Sequence, residues 1–334
     1  MIKIAIVNSS SFGKVFPEHL LALQEFAETE IIKVAKEISP QEFTEVLKDY
    51  DGILASTNPD YPAEMLENLP KLKIIARHGI GFNNIDIDAA QKLGIIVTKV
   101  LGPVERNSVA EHNLALLMSA ARWTPHGDKA VRNSDWKSRA SFVGKEVTGK
   151  TIGIIGLGNI GSRSAEILAK GFNAKVLVND ANKTAEEINA AGYQAASLEE
   201  LLKQSDFICL HCAHTPASHH LLGKEQFQQM KAEVIIVNTA RGELVDDQAM
   251  LEFLNNGKIR VYATDVIEGE PIDGDHHLLQ ANNVIVVPHL GGYSEESLHG
   301  MGQTMVDNLH SVFVDKKMPV ANLVPGLELN EIRK

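Results

Sequence analysis

The sequence predicts an α/β protein that contains two doubly wound parallel sheets. Its 334 residues are enough for about two domains of ordinary size. Strand-like and helix-like segments alternate over the first hundred residues, and a second alternating series begins near residue 150, with glycines and prolines at the joints. Alternation of this kind favours parallel sheets that carry helices on both faces.

The first series contains short apolar runs that are typical of buried strands. Its predicted strands are residues 2–7, 52–56, 72–77 and 95–99, and its predicted helices include residues 41–50, 63–69 and 87–93. Residues 108–122 then form one long apolar helix pattern, and a second helix is expected to end near Trp136. Trp123 and Trp136 are both expected to pack against helices.

The second series starts with a strand over residues 151–155. Its other predicted strands are residues 175–179, 207–211, 234–238, 261–264 and 283–287. The helices predicted after residue 155 include residues 197–204 and 246–255, and the last helix is expected over residues 295–314.

Composition excludes several classes of protein. Asp and Glu total 43 against 32 Lys and Arg, and the resulting net charge of −11 disfavours a surface for nucleic acid or anionic membranes. Two cysteines are too few for a secreted disulfide scaffold. The chain shows neither a signal-peptide pattern nor an apolar run long enough to span a membrane. We therefore expect a soluble cytoplasmic protein.

The most informative motif is the glycine-rich turn GLGNIG, which follows the strand over residues 151–155 and precedes a helix pattern. Gly156 allows a tight turn, Gly158 allows the backbone to approach a pyrophosphate, and Gly161 allows close packing of helix and strand. Asp180 lies 19 residues after Gly161, at the end of the next strand, where a carboxylate can accept hydrogen bonds from ribose hydroxyls. The pattern predicts NAD rather than NADP, although Lys183 weakens that preference, and a structural turn without cofactor stays an alternative.

Polar side chains follow three later strands of the same series. A substrate carboxylate and its neighbouring carbonyl could be bound by Arg241, and His289 could supply a proton to that carbonyl. Glu270 could orient His289 and stabilise its protonated form. Asp265 could hold the nicotinamide amide or add to the field on the histidine. The alternatives are a structural arginine and a histidine that only forms a turn.

Four segments of the sequence occur in this order: GLGNIG, VNTARGELVD, ATDVIEGEP and VPHLGG. The same order is found in the D-isomer-specific 2-hydroxyacid dehydrogenases, and the sequence resembles that family from about residue 72 to residue 293. VAEHNLALL and LHCAHTPASHHLL also match. The resemblance implies a Rossmann-type NAD domain over residues 101–295, inserted into a flavodoxin-like substrate domain made of residues 1–100 and 296–334. It also implies a homodimer joined through the long helices after Glu105.

The resemblance assigns roles to individual residues. Arg241 would bind the substrate carboxylate and carbonyl, His289 would be the acid and base, and Glu270 its partner. The residues expected at the cofactor are Gly156, Gly158, Asn159, Ile160, Gly161, Asp180, Cys212, Ala213, Thr239, Ala240 and Asp265. The segment RHGIGFNNID resembles the family's glycine loop, whose backbone amides hold the substrate carboxylate. The residues expected there are Gly79, Ile80 and Gly81.

Some positions depart from the family pattern or stay open. Asn83 stands where many members have aspartate, and His78 could reach the substrate or be merely exposed. Glu105 and Arg106 are extra charges, and we hypothesise that Arg106 selects a polar or anionic substrate tail; a charge pair at a helix start is the alternative.

The expected reaction is the NAD-dependent reversible reduction of a small 2-oxo acid to a D-2-hydroxy acid, with a lactate-type substrate as the first guess. The alternatives are 3-phosphoglycerate dehydrogenase and a corepressor-like protein that only senses NAD. Glu270 argues against formate dehydrogenase, which has glutamine at that position. Cys209 and Cys212 have CxxC spacing within one strand, but we expect plain core thiols and no metal site, including at the nearby histidines.

Overall fold

The protein is built from two units, each with its own parallel sheet. A computed structural model describes residues 1–329 and 331–333. The first unit consists of Met1–Glu105 together with Gly292–Lys334, and the second consists of Arg106–Gly291. The first unit is therefore made from two separate segments of the chain, and the second is continuous.

The first unit contains a five-stranded sheet in which all strands are parallel. Its strands are β1 (Lys3–Val7), β2 (Glu28–Ile32), β3 (Gly52–Ala55), β4 (Ile74–Arg77) and β5 (Ile96–Thr98). Their order is β2-β1-β3-β4-β5, which is the flavodoxin-like order. This sheet confirms the predicted fold class.

Helices cover both faces of this sheet. They are α1 (Pro17–Gln24), α2 (Pro40–Leu47), α3 (Ala63–Leu66), α4 (Ile87–Leu93) and, from the second chain segment, a long C-terminal helix over Glu295–Phe313. In β1, Ala5 and Val7 belong to one apolar cluster, whereas Ile4 and Ile6 belong to another. Because side chains alternate along a strand, these two clusters are the two faces of the sheet. The C-terminal helix packs into the Ile4 and Ile6 cluster through residues that include Leu309.

Strand β2 was not predicted from the sequence. It lies at the edge of the sheet, and four of its five side chains are at least partly exposed. Its sequence, ETEII, lacks the continuous apolar run that identified the other strands. A half-exposed edge strand therefore escapes a search for buried runs.

The second unit contains a seven-stranded sheet, again with all strands parallel. Its strands are β6 (Thr151–Ile155), β7 (Lys175–Asn179), β8 (Gln194–Ala195), β9 (Phe207–Leu210), β10 (Val234–Asn238), β11 (Ile259–Thr264) and β12 (Val284–Val286). Their order is β12-β11-β10-β9-β6-β7-β8. The strand order reverses between the neighbouring strands β6 and β9. This topological switch point is where open α/β sheets bind ligands. The two-residue strand β8 was not predicted.

The helices of the second unit start with the pair that follows the first sheet. They are α5 (Gly102–Arg122, whose first turn belongs to the first unit), α6 (Thr124–Arg132), α7 (Asn159–Phe172), α8 (Ala185–Ala190), α9 (Leu198–Gln204), α10 (Lys224–Gln229) and α11 (Asp247–Asn255), and the C-terminal helix is then α12. Helix α5 begins at Gly102, six residues before its predicted start. Trp123 packs against an apolar cluster as expected, but Trp136 is 68% exposed, so the prediction that it packs against a helix is wrong. Within the described residues, no helix is long and apolar enough to cross a membrane.

Candidate active site

The glycine turn after β6 has a backbone shape that only glycine fits. Gly156 has a φ of +95°, and a Cβ atom there would lie 2.6 Å from the backbone N of Cys212. A Cβ atom on Gly161 would lie 2.0 Å from the carbonyl oxygen of Gly156. At Gly158, which caps the N-terminus of α7, no heavy atom lies within 4 Å of the Cβ position. The turn therefore packs tightly on the β9 side and leaves an open face at Gly158, as a pyrophosphate requires.

Asp180, directly after β7, is tied to this turn. Its Oδ2 accepts a hydrogen bond from the backbone N–H of Leu157 at 2.6 Å, and its Oδ1 accepts one from Asn182 N–H at 2.7 Å. Each carboxylate oxygen keeps acceptor capacity beyond these bonds. The carboxylate is thus fixed beside the glycine turn with lone pairs left for two hydroxyl groups.

The segment after β9 begins with His211 and Cys212, whose backbone atoms pack against Gly156 of the glycine turn. Burial lowers the pKa of His211 to about 4 and raises the pKa of the Cys212 thiol to about 11. Burial likewise raises the pKa of Cys209 to about 12. At neutral pH the imidazole is therefore neutral and both sulfurs are thiols, which fits core packing rather than redox chemistry.

The turn after β10 presents Thr239, Ala240 and Arg241. Asn238 shapes it, because its side chain accepts from Ala240 N–H at 3.0 Å and donates to the carbonyl oxygen of Arg241 at 2.8 Å. Thr239 Oγ1 is buried without a hydrogen-bond partner among the described residues, so it is available to a ligand. The Arg241 guanidinium donates to the carbonyl oxygen of Ala240 at 2.5 Å, and it forms no ion pair with a described carboxylate.

Gly242 was missed by the sequence reasoning and brings two functional segments together. A Cβ atom on Gly242 would lie 2.1 Å from the backbone N of Glu268 and 2.1 Å from the carbonyl carbon of Ile267. Only glycine therefore lets the Arg241 turn pack against the segment that leads to Glu270. The signal in the sequence was a glycine directly after the arginine.

Glu270 and His289 form a direct pair. The Nδ1 atom of His289 lies 2.5 Å from Oε1 of Glu270, and Oε2 of Glu270 accepts from Ile267 N–H at 3.3 Å. His289 has a φ of +53°, which is uncommon for a residue other than glycine. Because Nδ1 is engaged by the carboxylate, Nε2 is the ring atom left to exchange a proton with a ligand.

Asp265 holds the turn that carries His289. Its side chain is only 2% exposed, and its oxygens accept from Leu290 N–H at 2.5 Å and from Gly291 N–H at 2.8 Å. Its own carbonyl oxygen accepts from His289 N–H at 2.9 Å. His112 of α5 adds a contact from Nε2 to Asp265 Oδ1 at 3.2 Å. His112 had no predicted role, although it lies in the VAEHN segment that carries part of the family resemblance.

The glycine loop after β4 lies in the first unit. Gly79 has a φ of +144°, and its N–H donates to the carbonyl oxygen of Arg77 at 2.9 Å. Among the described residues, no acceptor is found for the backbone N–H groups of residues 80–84, which include Ile80 and Gly81. Burial lowers the pKa of His78 to about 3, so this side chain is neutral at any ordinary pH.

The residues of the second unit fit a dinucleotide. The open face at Gly158, the anchored carboxylate of Asp180 and the unpartnered hydroxyl of Thr239 are chemically suited to a pyrophosphate, a ribose and a further polar group, respectively. Cys212 contacts the glycine turn from the neighbouring strand end. All four positions lie at the carboxyl edge of one sheet.

Comparison with known proteins identifies the family. Residues 114–291 match the family model described as D-isomer specific 2-hydroxyacid dehydrogenase, NAD binding domain. The chain is 36% identical over 297 residues to a glyoxylate reductase of Korarchaeum cryptofilum, covering 88% of this chain and 89% of that protein. It is also 36% identical over 313 residues to a D-3-phosphoglycerate dehydrogenase of Methanocaldococcus jannaschii, covering 93% of this chain but only 57% of that protein.

Among solved structures, the D-lactate dehydrogenase of Aquifex aeolicus complexed with NAD and lactic acid superposes with a TM-score of 0.82. The two sequences are 28% identical, and the match covers 97% of this chain and all of that one. These matches confirm the predicted fold class and the predicted cofactor, NAD. The chain belongs to the D-isomer specific 2-hydroxyacid dehydrogenases and is an NAD-dependent oxidoreductase.

Proposed function

We propose that the protein reduces a short 2-oxo acid of the glyoxylate and pyruvate class to the corresponding 2-hydroxy acid, with the D configuration where the product is chiral. The observation that carries this proposal is the His289–Glu270 pair, which lies after β12 and β11 in the NAD-binding unit. The Arg241 turn packs against the segment leading to this pair. An anion-binding cation and a proton donor at one sheet edge are the groups that carbonyl reduction requires.

Arg241 is the proposed anchor of the substrate. Its guanidinium forms no ion pair with any described carboxylate, so its positive charge is available to an anionic ligand. A guanidinium can hold a carboxylate with two parallel hydrogen bonds, and it polarises a neighbouring carbonyl oxygen. The predicted role of the glycine loop is kept as a proposal, in which the backbone amides of Gly79, Ile80 and Gly81 bind the substrate carboxylate.

His289 is the proposed acid and base. Bound NADH supplies the hydride to the carbonyl carbon. The imidazolium of His289 gives its Nε2 proton to the carbonyl oxygen, so one hydride and one proton together convert the 2-oxo acid to the 2-hydroxy acid. Glu270 stabilises the imidazolium through the 2.5 Å contact to Nδ1 and fixes the ring. In the oxidative direction the neutral imidazole takes the hydroxyl proton back.

The cofactor is assigned to the predicted set of residues around the glycine turn. We propose that Gly156, Gly158, Asn159, Ile160 and Gly161 hold the pyrophosphate and that Asp180 holds the adenosine ribose. Cys212, Ala213, Thr239, Ala240 and Asp265 are proposed to flank the rest of the cofactor. The helix α7 N-terminus adds free N–H groups and a partial positive charge at the phosphates.

The short-substrate proposal is supported by the 36% identity to the glyoxylate reductase over 88% of this chain. A second candidate is nevertheless 3-phosphoglycerate oxidation. The 36% identity to the phosphoglycerate dehydrogenase over 93% of this chain equals the identity to the glyoxylate reductase.

The deciding experiment is a steady-state measurement of NADH oxidation, followed at 340 nm, with a panel of 2-oxo acids. The panel contains glyoxylate, pyruvate, hydroxypyruvate, phenylpyruvate and 3-phosphohydroxypyruvate. We expect the highest kcat/KM with glyoxylate or pyruvate. A preference for 3-phosphohydroxypyruvate would establish the second candidate, and a preference for phenylpyruvate would contradict the short-substrate proposal.

We further propose that the protein works as a cytoplasmic homodimer. The part of the second unit that follows α5 exposes apolar side chains, with Val131 at 51%, Trp136 at 68% and Val143 at 68%. Exposed apolar groups clustered along one stretch of chain are typical of an interface. Sedimentation equilibrium is expected to give the mass of a dimer, and Trp136→Glu is expected to shift it towards the monomer. A wild-type monomer would contradict the proposal.

A further inference from the structure

A second group of chemically active side chains lies in the NAD-binding unit, apart from the Arg241, Glu270 and His289 set. It consists of Asp247, His276 and His277. Asp247 is the first residue of α11, and the two histidines stand at the start of a 3-10 helix over His277–Gln280. One ligand atom from each of the three residues lies within 4.8 Å of the other two.

The polar atoms of this group are buried but not satisfied by the protein. Asp247 is 7% exposed, and its Oδ1 has no hydrogen-bond partner among the described residues. The same holds for Nδ1 of His276 and Nε2 of His277. The distance from His276 Nε2 to Asp247 Oδ2 is 4.0 Å, which is too long for a hydrogen bond. Each of these three neighbouring side chains therefore has one buried polar atom without a partner among the described residues, and a ligand would remove that cost.

The surrounding charges favour a cation as that ligand. Asp247 is flanked by the carboxylates of Asp246 and Glu268 and by the imidazole of His220. Asp275 faces His276. Carboxylates therefore outnumber the positively charged groups that act on the cluster.

We propose that Asp247, His276 and His277 form a binding site for a divalent transition-metal ion of the Zn²⁺ type. Two imidazoles and one carboxylate are a ligand set of zinc sites, whereas Mg²⁺ and Ca²⁺ prefer oxygen atoms alone. Ligand atoms around Zn²⁺ stand about 3.3 Å apart, given bonds of roughly 2.0 Å in a tetrahedron. The cluster reaches that spacing by rotation of its side chains, and water completes the coordination.

The site has a structural consequence for the loop that carries Glu270. This loop runs from Glu268, after β11, to His276, and its far end would be tied to the start of α11 by the metal. His219, His220 and Glu268 form a neighbouring group. In that group His220 is already bonded to Glu268 at 2.8 Å, and both histidines are exposed. Of the two groups, the one formed by Asp247, His276 and His277 is therefore the one with buried polar atoms that lack hydrogen-bond partners among the described residues.

The proposal is tested by metal binding, without any substrate. Full-length protein without a histidine tag is freed of metal by a chelator and titrated with Zn²⁺ against a chromophoric indicator. A parallel titration with Co²⁺ is followed by its visible absorption. We expect one tight equivalent of Zn²⁺ per chain, a Co²⁺ spectrum of a four- or five-coordinate site, and a metal-dependent rise in Tm.

Variants locate the site. We expect the Asp247→Asn variant, and separately the double variant His276→Gln with His277→Gln, to bind Zn²⁺ more weakly than the wild type. Loss of a residue that only hydrogen-bonds to a metal ligand weakens binding by roughly 10- to 100-fold, and loss of a ligand should weaken it by more. His310→Gln, which changes a histidine of the first unit, is the matched control and should bind like the wild type. Circular dichroism checks that each variant is folded. If Asp247→Asn does not fold, the double histidine variant alone is used to locate the site.

Three results would overturn the assignment. The first is a wild-type protein that binds no Zn²⁺. The second is tight binding that survives in both Asp247→Asn and the double histidine variant. The third is binding that is lost in His219→Gln with His220→Gln but kept in the other variants, because it would place the metal in the exposed neighbouring group.

Discussion

The substitution Asp265→Asn tests whether a buried carboxylate positions the proposed acid and base. In the wild type both carboxylate oxygens accept backbone hydrogen bonds, from Leu290 at 2.5 Å and from Gly291 at 2.8 Å. Asparagine keeps one acceptor oxygen and replaces the other with an NH₂ donor. One of the two backbone N–H groups must then face another donor, and the turn that carries His289 has to shift.

The size of the effect follows from the bond that is lost. A hydrogen bond to a charged group contributes about 1.5–3 kcal/mol. For a folding unit of this size, each kcal/mol lowers Tm by roughly 2–4 °C, so we expect the melting point of Asp265→Asn to fall by about 3–12 °C. A misplacement of a catalytic group by about 1 Å costs roughly 100-fold in rate. We therefore expect kcat to fall by about that factor, through the displaced His289.

Calorimetry and NADH oxidation measure the two effects separately. Asp273→Asn, an exposed aspartate in the same unit, is the control and should leave both Tm and kcat unchanged. NADH affinity, followed by the quenching of protein fluorescence, distinguishes a positioning role from a contact with the nicotinamide. If Asp265→Asn keeps wild-type kcat and Tm, the backbone bonds to Asp265 do not hold the turn and the reasoning is refuted.

Further substitutions test the remaining roles. His289→Gln is expected to lower kcat by about 10²- to 10⁴-fold while NADH still binds, and near-normal turnover would exclude proton transfer by His289. Arg241→Lys is expected to lower kcat/KM by about 10- to 100-fold because lysine cannot form the paired bonds; unchanged KM and kcat would place the carboxylate elsewhere. Asp180→Ala is expected to raise the ratio of NADPH to NADH use by at least about tenfold, since like charges placed together cost several kcal/mol. A constant ratio would undercut the ribose assignment. Arg106→Ala is expected to change the ranking of 2-oxo acids in the panel, and an unchanged ranking would leave Arg106 as a helix-start charge.

The sequence predicted the sheets well because buried parallel strands are continuous apolar runs. Strands β6, β7 and β10 were predicted with the limits they have in the structure. The edge strand β2 was missed because its side chains are largely exposed. The periodicity of apolar residues reports burial, so it fails where a strand is not buried.

The site was predicted in outline but not in its supporting contacts. A rule about strand ends was enough to single out Arg241 and His289, since ligands bind at the carboxyl edge of such sheets. The rule gives no contacts between distant residues. His112 is 153 positions from Asp265, and the close approach of Gly242 to Glu268 depends on the path of two loops. Such contacts follow from tertiary packing, which a single sequence does not reveal.

An acidic protein that binds anionic ligands has to keep its own carboxylates away from the positively charged side chain in its site, here the guanidinium of Arg241. Asp265 and Glu270 both belong to the segment after β11, in the same unit as Arg241, and either could have neutralised it. Instead, two backbone amides and His112 contact the Asp265 carboxylate, and Glu270 is bonded to His289. The guanidinium of Arg241 is bonded only to the neutral carbonyl oxygen of Ala240 among the described residues. The net charge of −11 therefore does not determine the field at the site, because the site's own hydrogen bonds leave one positive charge for the substrate.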